Sequence, residues 1–343
     1  MRALIVGAGA IGQYFAVRLA QAGHHPILFA RPNQAQAIAN GGVTLQTDGK
    51  ASGVRVPTAS EPSEATLVEP FELVIVAVKA YATADAVGTV QAITGCREAT
   101  ILTVQNGLGN EELLAKAFGE DRVVAGALTM AVDRIDATTI AASHRGGLRF
   151  APVGRSPHNW LLALFSSAGL AVSAADDWRA LKWSKLCINI LGNGVCAALD
   201  WTPEHVYADR AAFGIERRCL LEAIAVMEQL KLKPVNLVGF AVRRLVWAAR
   251  SLPAGLLRQV LRGRVAAGRS GKLPSLLVDL RAGRKQTEVS ALNGAVAIEA
   301  LKCGLQAPAN EKISEVVSAI ASGSTPWSEY RGHPDRLTPK VPL

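Results

Sequence analysis

No stretch of the chain approaches the roughly 18 uninterrupted apolar residues that a membrane-spanning helix requires, although 50% of its 343 residues are hydrophobic. The opening run, Met1 to Val6, is too short for a secretory leader and dissolves at once into glycines. A cytoplasmic address and no membrane partner are therefore expected. Cysteine is scarce and scattered: Cys96, Cys187, Cys196, Cys219 and Cys303, an odd number with no CxxC spacing. That excludes a zinc ribbon or a disulfide framework, so no metal is expected and the thiols are read as buried and reduced. Low-complexity tracts and internal repeats are missing too, and charged residues make up only 19%, the make-up of a folded globular protein rather than a disordered or fibrous one. The length exceeds what one hydrophobic core serves, which predicts two domains.

Acidic residues are missing from one long segment. Lys231 to Lys272 carries Arg243, Arg244, Arg250, Arg258, Arg262, Arg264 and Arg269 and no Asp or Glu. The first 150 residues hold 12 Lys and Arg against 13 Asp and Glu, so the net charge of +9 arises wholly in the remainder, with 25 against 15. Such a segment suits a nucleic-acid or a membrane-surface patch. Between Arg243 and Arg269 only Trp247 supplies an aromatic ring, however, and the preferred reading is a solvated helical face near an anionic-ligand cleft, with no nucleic-acid partner.

The amino terminus carries the first motif. Arg2 to Val6 reads as a short strand, Gly7-Ala8-Gly9-Ala10-Ile11-Gly12 as a glycine turn, and Phe15, Val17, Leu19 and Ala20 as the apolar face of a helix ending near Gly23. In a dinucleotide-binding turn the first glycine makes the bend and the second lets backbone approach a pyrophosphate. The third lets helix and strand pack closely. The helix terminus then offers N–H groups and a positive dipole end. A glycine turn of an unrelated α/β protein is the alternative, but strand, turn and helix in order favour the cofactor. After the second strand, Pro26 to Ala30, stands Arg31, where an acidic residue would bind the ribose hydroxyl of NAD. A guanidinium there suits the 2′-phosphate of NADPH/NADP, the alternative being a plain surface arginine. Glu72 to Val78 is a continuous apolar strand ending in Lys79, and Thr100 to Val104 a second one ending in Gln105-Asn106-Gly107. Both tips fall at strand carboxyl ends, where ligands bind in open α/β sheets. A solvated lysine and a turn-forming asparagine are the plainer readings. Val43 to Gln46 and Val54 to Pro57 look like a hairpin. Arg122 to Met130, Thr138 to Ser143 and Gly147 to Val153 look like antiparallel strands at the far edge of the sheet.

The implied fold class is an α/β Rossmann-type dinucleotide-binding domain followed by an all-α carboxy-terminal domain. The expected division is residues 1–170, then residues 171–330 with an insertion-like basic segment at 232–272, and a tail at 331–343. In the helical part Lys185, Asn189 and Asn193 recur every four positions, one stripe on a helix drifting about 40° per step. The stripe is flanked by Leu186, Ile188, Ile190, Leu191 and Val195. A polar stripe on a largely buried helix needs partners, and a ligand is one. A second polar segment runs from Ser275 through Asp279 and Arg284 to Glu288 and Asn293; a charged helix face explains it equally well.

Together these residues resemble the ketopantoate reductase family (2-dehydropantoate 2-reductase). The resemblance covers nearly the whole chain outside Leu232 to Lys272. Its landmarks are the Gly7 to Gly12 turn, Val78-Lys79-Ala80, Gln105-Asn106-Gly107, Trp183 with Lys185, Leu186 and Asn189, then Ser275, Asp279, Arg284 to Glu288, Asn293-Gly294, Pro308 and Asn310. It implies NADPH-dependent reduction of the small 2-keto acid ketopantoate to (R)-pantoate, for pantothenate and coenzyme A synthesis. Lys185 would be the general acid, and Glu288 would position substrate or that lysine. Asn106, Asn189, Asn193 and Ser275 would bind substrate, with Lys79 and Asn106 at the cofactor. The chemistry fits: hydride delivery to a ketone builds charge on oxygen, which an ammonium both stabilises and protonates. The chain departs from the family pattern after Asn193, where Gly194-Val195-Cys196-Ala197-Ala198 replaces the usual proline and the threonine shortly beyond it. A paralogous reductase of another branched 2-keto acid is the first alternative. An NADPH-binding regulatory protein is the second, and the presence of Lys185 and Glu288 counts against it. A homodimer is one state the sequence permits.

Overall fold

The computed structural model describes residues 1–66, 70–268 and 273–339; Arg269 and Lys272 of the basic segment and the end of the tail lie outside them. The chain forms two compact units. The first comprises Met1–Gln105, Gly109–Lys182 and Leu237–Phe240, and the second Asn106–Leu108, Trp183–Asn236 and Ala241–Leu343.

The first unit contains β1 (Arg2–Val6), β2 (His25–Phe29), β3 (Val43–Thr47), β4 (Lys50–Val54), β5 (Thr58–Ala59), β6 (Leu73–Val76), β7 (Thr100–Thr103), β8 (Val123–Leu128), β9 (Val132–Arg134), β10 (Thr139–Ala142), β11 (Leu148–Pro152) and β12 (Val172–Ala174). Helices α1 (Ala10–Gln21), α2 (Pro32–Gly41), α3 (Pro62–Thr66), α4 (Thr83–Ala92), α5 (Asn110–Phe118) and α6 (Trp160–Ser167) connect them, and α7 (Trp178–Ile190) begins there. The main sheet runs β12-β11-β8-β7-β6-β1-β2-β5, parallel throughout except where β8 meets β11. Its strands read as unbroken apolar runs because both faces are covered. Ala3 and Ile5 of β1 pack with Phe15, Leu19 and Phe165 on one side, while Leu4 and Val6 pack with Val74, Val90 and Leu114 on the other. Each Ile, Leu, Val or Phe side chain so withdrawn from water contributes about 1.5–3 kcal/mol. The chain leaves β1 toward β2 and returns to β6 on β1's other side, so the carboxyl ends of β1 and β6 flank the topological switch point.

Two expectations need correction. The hairpin's second strand is β4, not Val54 to Pro57, because Asp48 and Gly49, both with positive φ, make the two-residue turn that pairs Thr47 with Lys50. The strand at Thr139–Ala142 does not extend the main sheet: it joins β3 in parallel and β9 antiparallel in a separate sheet of order β4-β3-β10-β9. The far edge is instead β12, three residues long and too short to stand out in the sequence.

The second unit is helical. It holds the latter part of α7, then α8 (Gly194–Leu199), α9 (Pro203–Ala208), α10 (Arg210–Gln229), α11 (Val242–Ser251), α12 (Ala254–Gly268), α13 (Ser275–Arg281), α14 (Asn293–Lys302) and α15 (Pro308–Ser322). The long central α10 buries Phe213, Ile215, Leu220, Ile224 and Met227 and touches α9, α11, α14 and α15. Among the described residues no helix is long and apolar enough to cross a membrane, and no group of three or more metal-binding side chains assembles. None of the five cysteines is joined in a disulfide, and four of them are buried.

Candidate active site

The glycine turn of the first unit is shaped by what its glycines exclude. Gly7 has φ +111, and a Cβ there would lie 2.8 Å from Val78 Cγ1, so the turn presses on the tip of β6. At Gly12 a Cβ would meet the Gly7 carbonyl oxygen at 1.8 Å, the close helix-to-strand contact that admits no side chain. A Cβ on Gly9, by contrast, would meet nothing within 4 Å: backbone is bared to open space at the start of α1. That helix has no side-chain cap and no acidic residue in its first turn. Such a terminus fits an anionic group. Ala8, Ala10 and Ile11 complete the turn, Ala10 and Ile11 being the first residues of α1. Arg31 is exposed where β2 gives way to α2. Lys79 is half-buried just past β6, at the start of the short turn Ala80–Ala82.

The same unit holds a polar knot that sequence reading missed. Gln105, buried after β7, donates from Nε2 to Val78 O (3.1 Å) and Thr83 Oγ1 (2.8 Å), and its Oε1 accepts from Thr103 Oγ1 (3.0 Å). The tips of β6 and β7 are thereby tied. Thr83 Oγ1 stands 2.8 Å from both Ala80 O and Asn110 Oδ1. Beside it Lys182, 1% exposed, donates to Gln105 O at 2.5 Å and pairs at 2.9 Å with Glu111 Oε1, 0% exposed. Burial pushes the Glu111 carboxyl up, and the Lys182 ammonium pulls against that shift. A lysine between Leu181 and Trp183, and a glutamate in the first turn of a helix, carry no local mark of this pairing.

In the second unit Lys185 and Asn189, both half-buried, lie one turn apart on the same face of α7. Asn189 Nδ2 donates to Asn106 Oδ1 at 3.1 Å. The turn bearing Asn106 is gripped a second time: Leu108 N donates to Ala291 O at 3.0 Å, and a Cβ on Gly107 would lie 2.4 Å from that oxygen. Ala291 closes the 3-10 turn Glu288–Ala291, whose first residue, Glu288, is 4% exposed. Asn106, Asn189 and the Glu288 turn are thus brought together.

The expected polar stripe is broken. Helix α7 stops at Ile190, Gly192 takes φ +59, and its N–H donates to buried Glu216 Oε2 at 2.8 Å. Asn193 therefore leaves the face of Lys185 and Asn189. Its Oδ1 instead accepts from Leu276 N at 3.2 Å, securing the first turn of α13 beside exposed Ser275. Nor is the later polar segment one helix face: α13 ends at Arg281, and Asp279 is buried against Arg284 Nε at 3.0 Å. Gly194 has a reason in packing, since a Cβ there would stand 2.6 Å from Ile313 Cγ2 and 2.9 Å from Asn293 Oδ1. The residue after Asn193 is small because α14 and α15 close over it.

Residues 3–155 match the family described as ketopantoate reductase PanE/ApbA, and residues 177–321 match its carboxy-terminal region. A 2-dehydropantoate 2-reductase of Mesorhizobium japonicum is 30% identical over 86% of this chain and 90% of its own length. Among solved structures, a PanE/ApbA family ketopantoate reductase from Ralstonia eutropha JMP134 aligns with a TM-score of 0.78 at 26% identity, covering 94% of this chain and 99% of the other. D-mandelate dehydrogenase, solved with NADH and anilino(oxo)acetate, shares the fold with the same TM-score at 22% identity, covering 94% and 99%. With matches to both halves and a relative at 30%, the chain belongs to the ketopantoate reductase family of oxidoreductases.

Proposed function

We propose that the chain reduces ketopantoate to (R)-pantoate with NADPH, with residues 1–170 serving the cofactor and the helical part to residue 330 serving the substrate. The observation that supports it most is the convergence of Asn106, Asn189 and the Glu288 turn in one unit, one helical turn from Lys185. The glycine turn fits a dinucleotide: bared backbone at Gly9 and an uncapped, acid-free α1 terminus suit a pyrophosphate. Gly7 to Gly12 would hold it, Arg31 the 2′-phosphate, and Lys79 and Asn106 the rest of the cofactor. Bound there, the reduced nicotinamide supplies the hydride.

The protein's own part is orientation and a proton. Lys185 donates its proton to the ketone oxygen as charge gathers there. Glu288 holds that lysine or the substrate in place. Asn189 turns its amide toward Asn106, leaving its carbonyl oxygen to accept from a substrate hydroxyl. Asn193 has its oxygen engaged by Leu276 N, so it serves substrate through Nδ2, with Ser275 as a second donor. Its partner would be the substrate carboxylate.

A second reading is favoured by the Gly194 contact. Tight packing of α8 on Ile313 and Asn293 reshapes the helix beside Asn193, which suits a different branched 2-keto acid. Oxidation of NADPH followed across a panel of 2-keto acids decides between them. The highest kcat/KM on ketopantoate upholds the first reading, the highest on another member the second, and no turnover on any refutes both.

A further inference from the structure

The basic segment is only partly accounted for by the fold. Arg258 donates to Tyr207 O and Ala208 O and fastens α12 to α9, Arg250 pairs with Glu228, and Arg243 Nε donates to Pro234 O. Helix α11 buries Val242, Val246 and Ala249, and α12 buries Leu257 and Leu261. What they turn outward is unusual for a surface in water. At 100° per residue, Trp247 falls at the middle of α11's outer face, with Arg243 and Arg250 to one side and Arg244 to the other. Its indole is 61% exposed and borders a groove of about 560 Å³ lined also by Lys233, Pro234, Arg243, Val246, Arg250 and Ser251. On α12, Leu256 and Val260 form an exposed apolar pair one turn apart, 47% and 39% exposed, and Arg262 is exposed as well.

We propose that this face of α11 and α12 docks the protein on an anionic phospholipid surface. Guanidiniums meet the headgroup phosphates, while the indole and the two aliphatic side chains settle at the headgroup boundary, where amphipathic rings and apolar groups are favoured. The absence of any Asp or Glu between Lys231 and Lys272 leaves the attraction unopposed within the segment. Nucleic acid would engage the arginines and the indole but leave Leu256 and Val260 in water, so the lipid surface uses more of what is exposed. Attachment is peripheral, because no helix among the described residues can span the bilayer.

The test is co-sedimentation of the full chain with vesicles of phosphatidylcholine, alone or with about one third phosphatidylglycerol. Binding to the anionic vesicles should be at least about tenfold stronger, and should collapse as salt rises from about 0.1 to 0.5 M and the Debye length shrinks. Trp247→Ala should weaken it severalfold without a change of charge, and Arg244→Glu with Arg262→Glu should abolish it. Arg55→Glu with Arg145→Glu, exposed positions in the first unit, lowers the net charge equally and should leave binding largely intact. Reductase turnover in solution should be the same in all four proteins. Equal affinity for neutral and anionic vesicles, or equal loss in both charge-reversed pairs, overturns the proposal. So does stronger binding to a DNA duplex than to vesicles, or a fall in particle mass on Trp247→Ala, which would mean that a second copy covers the face.

Discussion

At the glycine turn every requirement is local: Gly12 is glycine because the carbonyl of Gly7, five residues away, would lie 1.8 Å from any Cβ. Lys185, Asn189, Asn106 and Glu288 are the reverse case. They come from α7, the turn after β7 and a 3-10 turn more than 90 residues further on, and only tertiary packing makes them neighbours. A cofactor cradle can therefore be written in six residues, whereas a substrate site is assembled from contacts that spacing alone does not disclose. Substrate identity should drift faster than cofactor use, since Gly194 alters the second region without touching the first.

The sharpest way to break this contrast is Lys185→Ala. Turnover should fall by about a hundred- to ten-thousandfold while NADPH affinity, read by quenching of protein fluorescence, stays near the parent value. Retained turnover removes the proposed acid, and a parallel loss of NADPH affinity removes the division of labour. Next in size is Lys182→Met, which strands Glu111 in the core of the first unit. Breaking a buried pair on one side costs about 3–5 kcal/mol, measured by urea unfolding, and Lys182→Met with Glu111→Leu should recover much of it. An unchanged midpoint in the single variant would show that the pair is not closed to water. The pH dependence comes from the raised Glu111 carboxyl. The folded chain binds that proton more tightly than the unfolded one, so this group's contribution is greatest at low pH and declines as pH rises from the ordinary carboxylate value through the folded one. Glu111→Gln should flatten that slope; an unaltered slope would assign it to other groups.

Arg31→Ala tests the cradle's finer claim. Preference for NADPH over NADH should shrink by about tenfold or more, the worth of a charge-assisted phosphate contact, with NADH kinetics little changed. An intact preference would leave Arg31 a surface residue.

The parallel strands and the glycine turn were legible because burial on both faces writes an unbroken apolar run and a steric clash writes a glycine. The hairpin was legible in outline, and its register stood in Asp48-Gly49, two residues that both tolerate positive φ. The destination of β10 was not legible: four residues of alternating pattern do not say which of two sheets they join. On the substrate side, Lys185 and Asn189 shared a helical face as their spacing implied, but Asn193 did not, because the helix ends at Ile190, three residues before it, and Gly192 turns the chain. The Lys182 and Glu111 pair was invisible, since 71 residues separate them and neither sits in a motif.

The smallest effect probes the face of α7 opposite Lys185. Cys187 is two residues on, so its side chain points some 200° away, into the core beside Met227, with Sγ 3.7 Å from Sδ. Burial pushes its thiol up to about 12, and Cys219 is shifted in the same sense. Raising a thiol from about 9 to about 12 leaves roughly a thousandfold less thiolate at neutral pH, and thiolate is the form that attacks a disulfide reagent. Native protein at pH 8 should therefore yield about one reactive thiol to Ellman's reagent, half-buried Cys303, and all five after unfolding in guanidinium. Rapid reaction of a second thiol, mapped to Cys187, would mean that α7 does not close its apolar face. The half-buried setting of Lys185 and Asn189 on the other face would then lose its basis.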